Sequence, residues 1–162
     1  MMSFTQAVRV CLKEKFLTFS GRASRSEYWW FVLFMVLVGI VTSILDAVFG
    51  TEILLGVDKY GNPQILGIIT TIVSLALLLP CFAVTFRRLH DRNLPGWYIF
   101  VPFILLIVAS ILAGIPILAL ILAVASIGFS IYILVMEILK GDNGRNDYGP
   151  DPLNPNSNSS IF

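Results

Sequence analysis

The sequence predicts an all-α integral membrane protein, a four-helix bundle of membrane spans preceded by an N-terminal amphipathic interfacial helix. Three observations predict it. Four long apolar runs occupy residues 29–49, 65–86, 97–113 and 115–139. The chain is 57% hydrophobic and 13% charged, where a soluble domain carries about 25% charged residues. The basic residues fall almost entirely in alternate connecting segments, the pattern that membrane orientation imposes.

Residues 3–19 have the pattern of the amphipathic helix. Phe4, Val8, Cys11, Leu12, Phe16 and Phe19 recur on one side, with Gln6, Arg9 and Lys13 elsewhere around the wheel. Ser3 and Gln6 have the spacing of a capping box. Such a basic helix either lies in the membrane interface or packs on the protein's own polar end, since both bury the same apolar stripe.

Gly21 breaks that helix, and Ser24 with Glu27 repeats the capping-box spacing at the start of the first span. Tyr28, Trp29 and Trp30 stand where an aromatic belt belongs. A helix over residues 29–49 would measure roughly 31 Å at 1.5 Å per residue, enough to cross the hydrocarbon. Gly39, Ser43 and Ala47 place small residues on one stripe of it, a helix-packing face. Residues 50–64 form a loop. In the second span, Pro80 should kink the helix. The helix should continue through Arg87-Arg88-Leu89-His90-Asp91, where cations complement the dipole of the last turn, and stop at Asn93 and Pro95. Gly96, Trp97 and Tyr98 open the third span. Gly114-Ile115-Pro116 marks the turn into the fourth, and this weak boundary also allows a re-entrant hairpin. Residues 1–152 form one membrane domain. The Asn, Ser and Pro bias of residues 153–162 predicts disorder.

Lys and Arg number ten in the N-terminal segment, the 87–94 loop and the C-terminal tail, against Lys59 alone in the 50–64 loop. Basic segments stay cytoplasmic, so both termini are expected inside and the 50–64 loop outside. Residues 1–28 show no apolar stretch of the signal-peptide kind, and the first span should act as an uncleaved anchor. Cys11 and Cys81 do not make a disulfide framework and should meet a reducing setting. Asn158-Ser159-Ser160 matches the glycosylation triplet, without meaning on the cytoplasmic side.

Three segments carry a family resemblance. They are Phe19-Ser20-Gly21-Arg22-Ala23-Ser24-Arg25-Ser26-Glu27-Tyr28-Trp29, then Arg87-Arg88-Leu89-His90-Asp91 followed by Gly96-Trp97, and finally Asn146-Asp147-Tyr148-Gly149-Pro150-Asp151-Pro152. In order and spacing they resemble bacterial inner-membrane domain-of-unknown-function family 805, the YhaH/YhaI-like proteins. The apolar stretch between Trp97 and Lys140 is longer than is usual there, and Asn146-Asp147 stands where a basic residue commonly precedes the Tyr. The resemblance implies a multi-pass protein of the bacterial inner (plasma) membrane and brings no agreed activity.

All three segments fall on the expected cytoplasmic side, which suggests that they meet in an arginine-rich cap. Two readings of its arginines follow. In one, Arg22, Arg25, Arg87 and Arg88 pair with Glu27, Asp91, Asp147 or Asp151, because guanidinium forks match carboxylates. Trp97, Asn146 and Tyr148 complete this structural cap. In the other, Arg22, Arg25, Arg87 and Arg88, with His90 and Asp91, form a site for an anionic lipid headgroup or a partner protein. His90 beside Asp91 lacks the further ligands a metal site needs, and the spacing of Asp142, Asn143, Asn146 and Asp147 fails the calcium-loop pattern. Asp46 lies near the outer end of the first span, shallow enough to reach interfacial water. Glu137 is positioned to pair with Lys140.

No nucleophile–base set, nucleotide loop or cofactor motif is present, so a non-enzymatic protein without cofactor or metal is expected. A net charge of +1 argues against nucleic-acid binding. Membrane lipids, anionic ones in particular, and a homo-oligomeric partner are the expected associations. The alternative is a small oligomeric transporter or channel subunit with Asp46, Thr70, Thr71 and Pro80 along its pathway.

Overall fold

The structure is a computed structural model, and it describes residues 2–154. The expected disorder of the tail therefore falls mostly, and the glycosylation triplet wholly, outside the described residues. Among these the chain is mostly helical, in the order α1 (Phe4–Arg9), α2 (Arg25–Phe49), β1 (Glu52–Val57), β2 (Pro63–Gly67), α3 (Ile68–His90), α4 (Val101–Ile111) and α5 (Pro116–Ile138). Three helices, α2, α3 and α5, are long and apolar enough to cross a membrane. The third expected span is shorter. It is a 3-10 helix over Gly96–Phe100 that continues into α4 and ends at Ile111.

α1 begins as its spacing predicts. Ser3 Oγ accepts from Gln6 N at 3.3 Å, and Gln6 Oε1 accepts from Ser3 N at 3.0 Å. The helix is shorter than expected: it widens into a π-helical turn over Val10–Glu14 and stops at Lys15 instead of Phe19. The widened turn carries Cys11, fully buried against Tyr28, Phe31 and Val84. α1 lies against the first turns of α2, where Phe4 meets the Trp30 ring edge-on and Trp30 Nε1 donates to Met2 O at 3.1 Å.

α2 starts four residues before the apolar run, because Ser24 caps it through Glu27 N at 3.2 Å. It ends at Gly50, whose φ of 62° lies in the left-handed region that glycine adopts without strain. The 50–64 segment is not a plain loop. β1 and β2 pair antiparallel with a bulge at Leu55. The hairpin also takes Ile65 and Leu66 from the start of the expected second span, because their apolar side chains suit a strand as well as a helix. At its tip Asp58 Oδ1 accepts from Tyr60 N and Asn62 N at 2.8 and 2.9 Å. These bonds, with those from Asn62 foremost, hold the Asp58 carboxyl below its ordinary range.

Asp46 joins α2 to α3. Its carboxylate, expected near interfacial water, is 1% exposed. It accepts from Thr51 Oγ1 at 2.5 Å, Ile69 N at 2.9 Å and Thr70 N at 2.8 Å. The last two are unpaired amides of the first turn of α3, so a side chain from one helix caps the next. Thr70 also donates to Thr42 Oγ1 across the pair. α3 runs unbroken through Pro80 to His90. α4 and α5 form an antiparallel hairpin, tied by Ser126 Oγ donating to Pro102 O at 2.9 Å.

Burial in this chain is inverted relative to a soluble protein. The flanks of α2, α3, α4 and α5 expose rows of Leu, Ile, Val and Phe, while the largest fully buried side chains include Arg87 and Arg88. An apolar exterior around a paired polar interior is what a hydrocarbon solvent demands.

The Asp46 cap gives a direct test. Asp46→Ala is expected to cost about 2 kcal/mol by losing the cap and its buried hydrogen bonds. Gly67→Ala should cost a similar amount, because a Cβ there would stand 2.3 Å from Asp46 Oδ2. Both damage one contact, so the double variant should fall short of the sum. Thermal unfolding of the purified protein in detergent would measure all three.

Candidate functional site

The site is the polar cap at the end of the apolar helices where the described N-terminal and C-terminal segments meet. Its centre is Asp91, which follows the last residue of α3 and is 3% exposed. Arg22 places Nε and Nη2 each 2.9 Å from Asp91 Oδ1. Arg88 places Nη1 2.5 Å from Oδ2. Burial pushes the Asp91 carboxyl above its ordinary range, against the pull of Arg22 and Arg88.

The two guanidiniums use their remaining donors on backbone. Arg22 Nη1 donates to Gly144 O at 2.6 Å and, at 3.4 Å, to Gly149 O, while Nη2 donates to Asp142 O. Arg88 Nε donates to Glu137 O at 2.9 Å, and its Nη2 to Leu139 O. Arg22 therefore holds the tail, and Arg88 caps the unsatisfied carbonyls at the end of α5. Asp142 N donates back to Asp91 O at 2.8 Å. The approach is so close that a Cβ on Gly141 would stand 1.9 Å from Asp91 Oδ2.

Arg87 faces the other way. It pairs with Glu27, and its Nε donates to Ala83 O at 3.2 Å. Glu27 thus serves Arg87 and forms no capping box with Ser24. Arg87 Nη2 is buried without a hydrogen-bond partner among nitrogen and oxygen acceptors. The Cys11 thiol lies beside this guanidinium; burial, reinforced by the Glu27 charge and opposed by Arg87, pushes it up to about 11.

His90 and the tail form a second contact. The His90 ring stacks on Tyr148 with centroids 3.9 Å apart and planes 6° from parallel, and its Nδ1 lies 3.1 Å from Gly21 O. Asn146 Nδ2 donates to His90 O at 2.8 Å, and Asn146 and Gly149 exchange backbone hydrogen bonds at 3.1 Å. Asp151 Oδ2 accepts from Gly144 N at 3.4 Å and its Oδ1 from Leu153 N at 2.9 Å.

The structure thus brings together Arg22, Arg87, Arg88, His90, Asp91, Glu27, Asn146, Tyr148 and Asp151. Two expected members stand apart. Trp97 is 55% exposed and meets only the Tyr98 ring among the described aromatic pairs, and Arg25 is exposed and enters no described ion pair. The expected partners also shift. Asp147 accepts from Asn93 at 3.0 Å instead of an arginine. Glu137 is buried, and no described ion pair joins it to Lys140. Arg92 and Asp142, absent from the expected site, pair at 3.2 Å, and Arg92 Nη1 also donates to Lys140 O at 2.7 Å. The repeat of Arg at positions 87, 88 and 92 around Asp91 was the available signal. Among the residues proposed for a transport pathway, Asp46 caps α3 through Ile69 N and Thr70 N, Thr70 Oγ1 donates to Thr42 Oγ1 at 3.1 Å, and Thr71 donates to Gly67 O at 2.7 Å. Among the described residues no group of His, Cys, Asp and Glu could hold a metal.

One groove of about 600 Å³ opens at the rim of the cap. Arg25, Ser26 and Lys140 border it, Trp29, Trp30, Leu33 and Ile138 form its apolar wall, and Asp91, Asp142 and Asp151 reach it from the cap side.

Two outcomes test the cap. Arg22→Ala strips Asp91 of one buried cation and frees the tail carbonyls, so it should cost about 3–5 kcal/mol. Hydrogen exchange across residues 142–149 should rise in this variant and stay unchanged in Arg25→Ala; unchanged exchange in Arg22→Ala would remove the anchoring role. Cys11 should resist maleimide at pH 7.5 in a Cys81→Ser background and label fully in SDS, since a thiol at about 11 is thiolate in roughly a few molecules per ten thousand.

Comparison with known proteins fits this architecture. Residues 16–150 match the family model described as protein of unknown function (DUF805), and the chain belongs to that family. It is similar to inner membrane protein YhaH of Escherichia coli K12, 33% identical over 139 residues that cover 86% of this chain and 90% of that protein. Inner membrane protein YhaI of the same organism is 30% identical over 142 residues, covering 86% and 89%. No solved structure matches the chain.

Proposed function

We propose that this member of the family is a non-enzymatic protein of the bacterial inner membrane that binds an anionic lipid headgroup at the rim of its cytoplasmic cap. The cytoplasmic position follows from the ten-to-one distribution of basic residues, and inner-membrane residence from the names of its relatives. The four apolar helical segments would form the membrane bundle, with α1 as an amphipathic helix at the interface.

The observation that carries the reading is the rim groove. Arg25 and Lys140 stand on its edge, exposed and without a carboxylate partner among the described residues. The acids that reach the groove are engaged elsewhere: Asp91 with Arg22 and Arg88, Asp142 with Arg92, and Asp151 with backbone amides. Two cations are left over, at the level of Trp29 and Trp30. A phosphate at Arg25 and Lys140 would place its acyl chains along Leu33 and Ile138, the arrangement expected of a headgroup site between helices. The first amides of α2 add partial positive charge there.

This moves the ligand contact away from Arg22, Arg87 and Arg88, which are buried and engaged with carboxylates and carbonyls, the unpartnered Arg87 Nη2 being itself buried. Those arginines build the cap. The groups free to bind are Arg25 and Lys140.

Native mass spectrometry of the detergent-solubilised protein with phosphatidylglycerol and phosphatidylcholine of equal chain length tests this. The wild type should retain phosphatidylglycerol preferentially. Arg25→Ala/Lys140→Ala should lose the preference with an unchanged melting temperature. Equal retention of both lipids by the wild type would overturn the proposal.

A further inference from the structure

A second cavity, of about 320 Å³, lies deeper between α3, α4 and α5. Its wall is apolar: Phe82, Ile99, Phe103, Leu106 and Ile133 line it. Its polar lining is uneven. Ser126, Ser130, Ile133 and Glu137 recur along one side of α5 at helical spacing, so the lining extends roughly 16 Å along the helix. Glu137 closes the end nearest the cap and is 7% exposed.

The hydroxyls of this lining have already used their protons. Ser126 Oγ donates to Pro102 O at 2.9 Å, Ser130 Oγ to Ser126 O at 2.9 Å and Thr85 Oγ1 to Cys81 O at 2.8 Å. Each retains only lone pairs for a ligand. Glu137 brings a carboxyl group that no lysine or arginine pairs with in the described structure and that the Tyr28 hydroxyl reaches from α2. The neighbouring Arg88 spends its donors on Asp91 and on the backbone carbonyls of Glu137 and Leu139. The cavity is therefore an apolar slot whose hydroxyl oxygens accept, with the Cys81 thiol as a weak donor and an acid at one end.

We infer that this cavity binds a primary ammonium group carried on an apolar chain, with the ammonium at Glu137 and the chain along Ile133, Leu106 and Phe103. A site whose oxygens accept selects a ligand with N–H donors, because an anion or ether there would meet lone pairs with only a weak thiol donor beside them. A buried carboxylate is far less costly when a cation stands against it. An intramembrane acid beside a cavity is where such a partner is expected. Two sources carry this chemistry, the headgroup of an inner-leaflet aminophospholipid and a free long-chain amine.

The test uses the full-length protein in detergent and native mass spectrometry with dodecylamine, dodecanol and dodecanoate. Dodecylamine should be retained roughly tenfold more tightly than dodecanol, about 1.4 kcal/mol, and dodecanoate least. Glu137→Gln should abolish the preference for the amine over dodecanol. Leu106→Trp, which fills the slot from the apolar side, should reduce all three. Phosphatidylethanolamine retained over phosphatidylcholine in a Glu137-dependent manner would identify the lipid as source; dodecylamine selectivity without it would identify a free amine. Equal binding of dodecylamine and dodecanol to the wild type would overturn the inference, whether or not Glu137→Gln folds, and so would an amine preference that survives in folded Glu137→Gln.

Discussion

The Asp91 carboxylate, shared between Arg22 and Arg88, is the contact on which the arginine-rich end depends. Arg22 comes from the segment before α2, Arg88 from the last turn of α3, and both guanidiniums continue to carbonyls in or beyond the end of α5. One acid thus links four parts of the chain separated by up to 127 residues in sequence. Without Asp91, two buried cations would face each other at the end of apolar helices. With it, the remaining donors are oriented toward carbonyls that the helix end and the tail would otherwise leave unsatisfied.

Buried ion pairs are weak sources of net stability, because desolvation offsets much of their attraction. Their value here is positional. The apolar flanks of α2, α3 and α5 meet no obligatory partner in hydrocarbon, and lipid tails provide little preference for one helix packing over another. Paired groups at the two ends specify the arrangement instead. Asp46 fixes α2 against α3 at the hairpin end. Glu27 with Arg87, and Asp91 with Arg22 and Arg88, fix the same helices and the end of α5 at the cap. Because the arginine fork needs its acceptors in one plane, lysine would be a poor replacement at these positions.

How much of this was legible follows from the type of signal. The apolar runs announced the helices, and the Ser3–Gln6 spacing announced the start of α1. The meeting of the three charged segments was legible because charges that lie beside apolar helices need partners. Which charge takes which partner was not legible. Glu27 fits a capping box by spacing, yet Arg87 draws it inward. Glu137 lies one turn from Lys140 in sequence, yet its helix face turns it toward the cavity lined by α3 and α4. The hairpin of β1 and β2 was hidden because Ile65 and Leu66 continue an apolar run with no break that separates strand from helix. Asp46 as a cap for α3 depends on a contact across 23 residues, which local spacing does not carry.

The same rule that organises the interior distinguishes the two cavities. A polar group whose hydrogen-bonding capacity is complete can only be structure, so the groups left incomplete indicate what a surface can bind. At the rim these are the cations of Arg25 and Lys140, bordered by indole rings. In the deeper slot they are the lone pairs of Ser126, Ser130 and Thr85 and the acid of Glu137. On the readings proposed above, one site is short of negative charge and the other of donors, and the two would take complementary halves of lipid chemistry, a phosphate and an ammonium. Arg88 stands between them with its donors spent on Asp91 toward the rim and on the Glu137 backbone toward the slot.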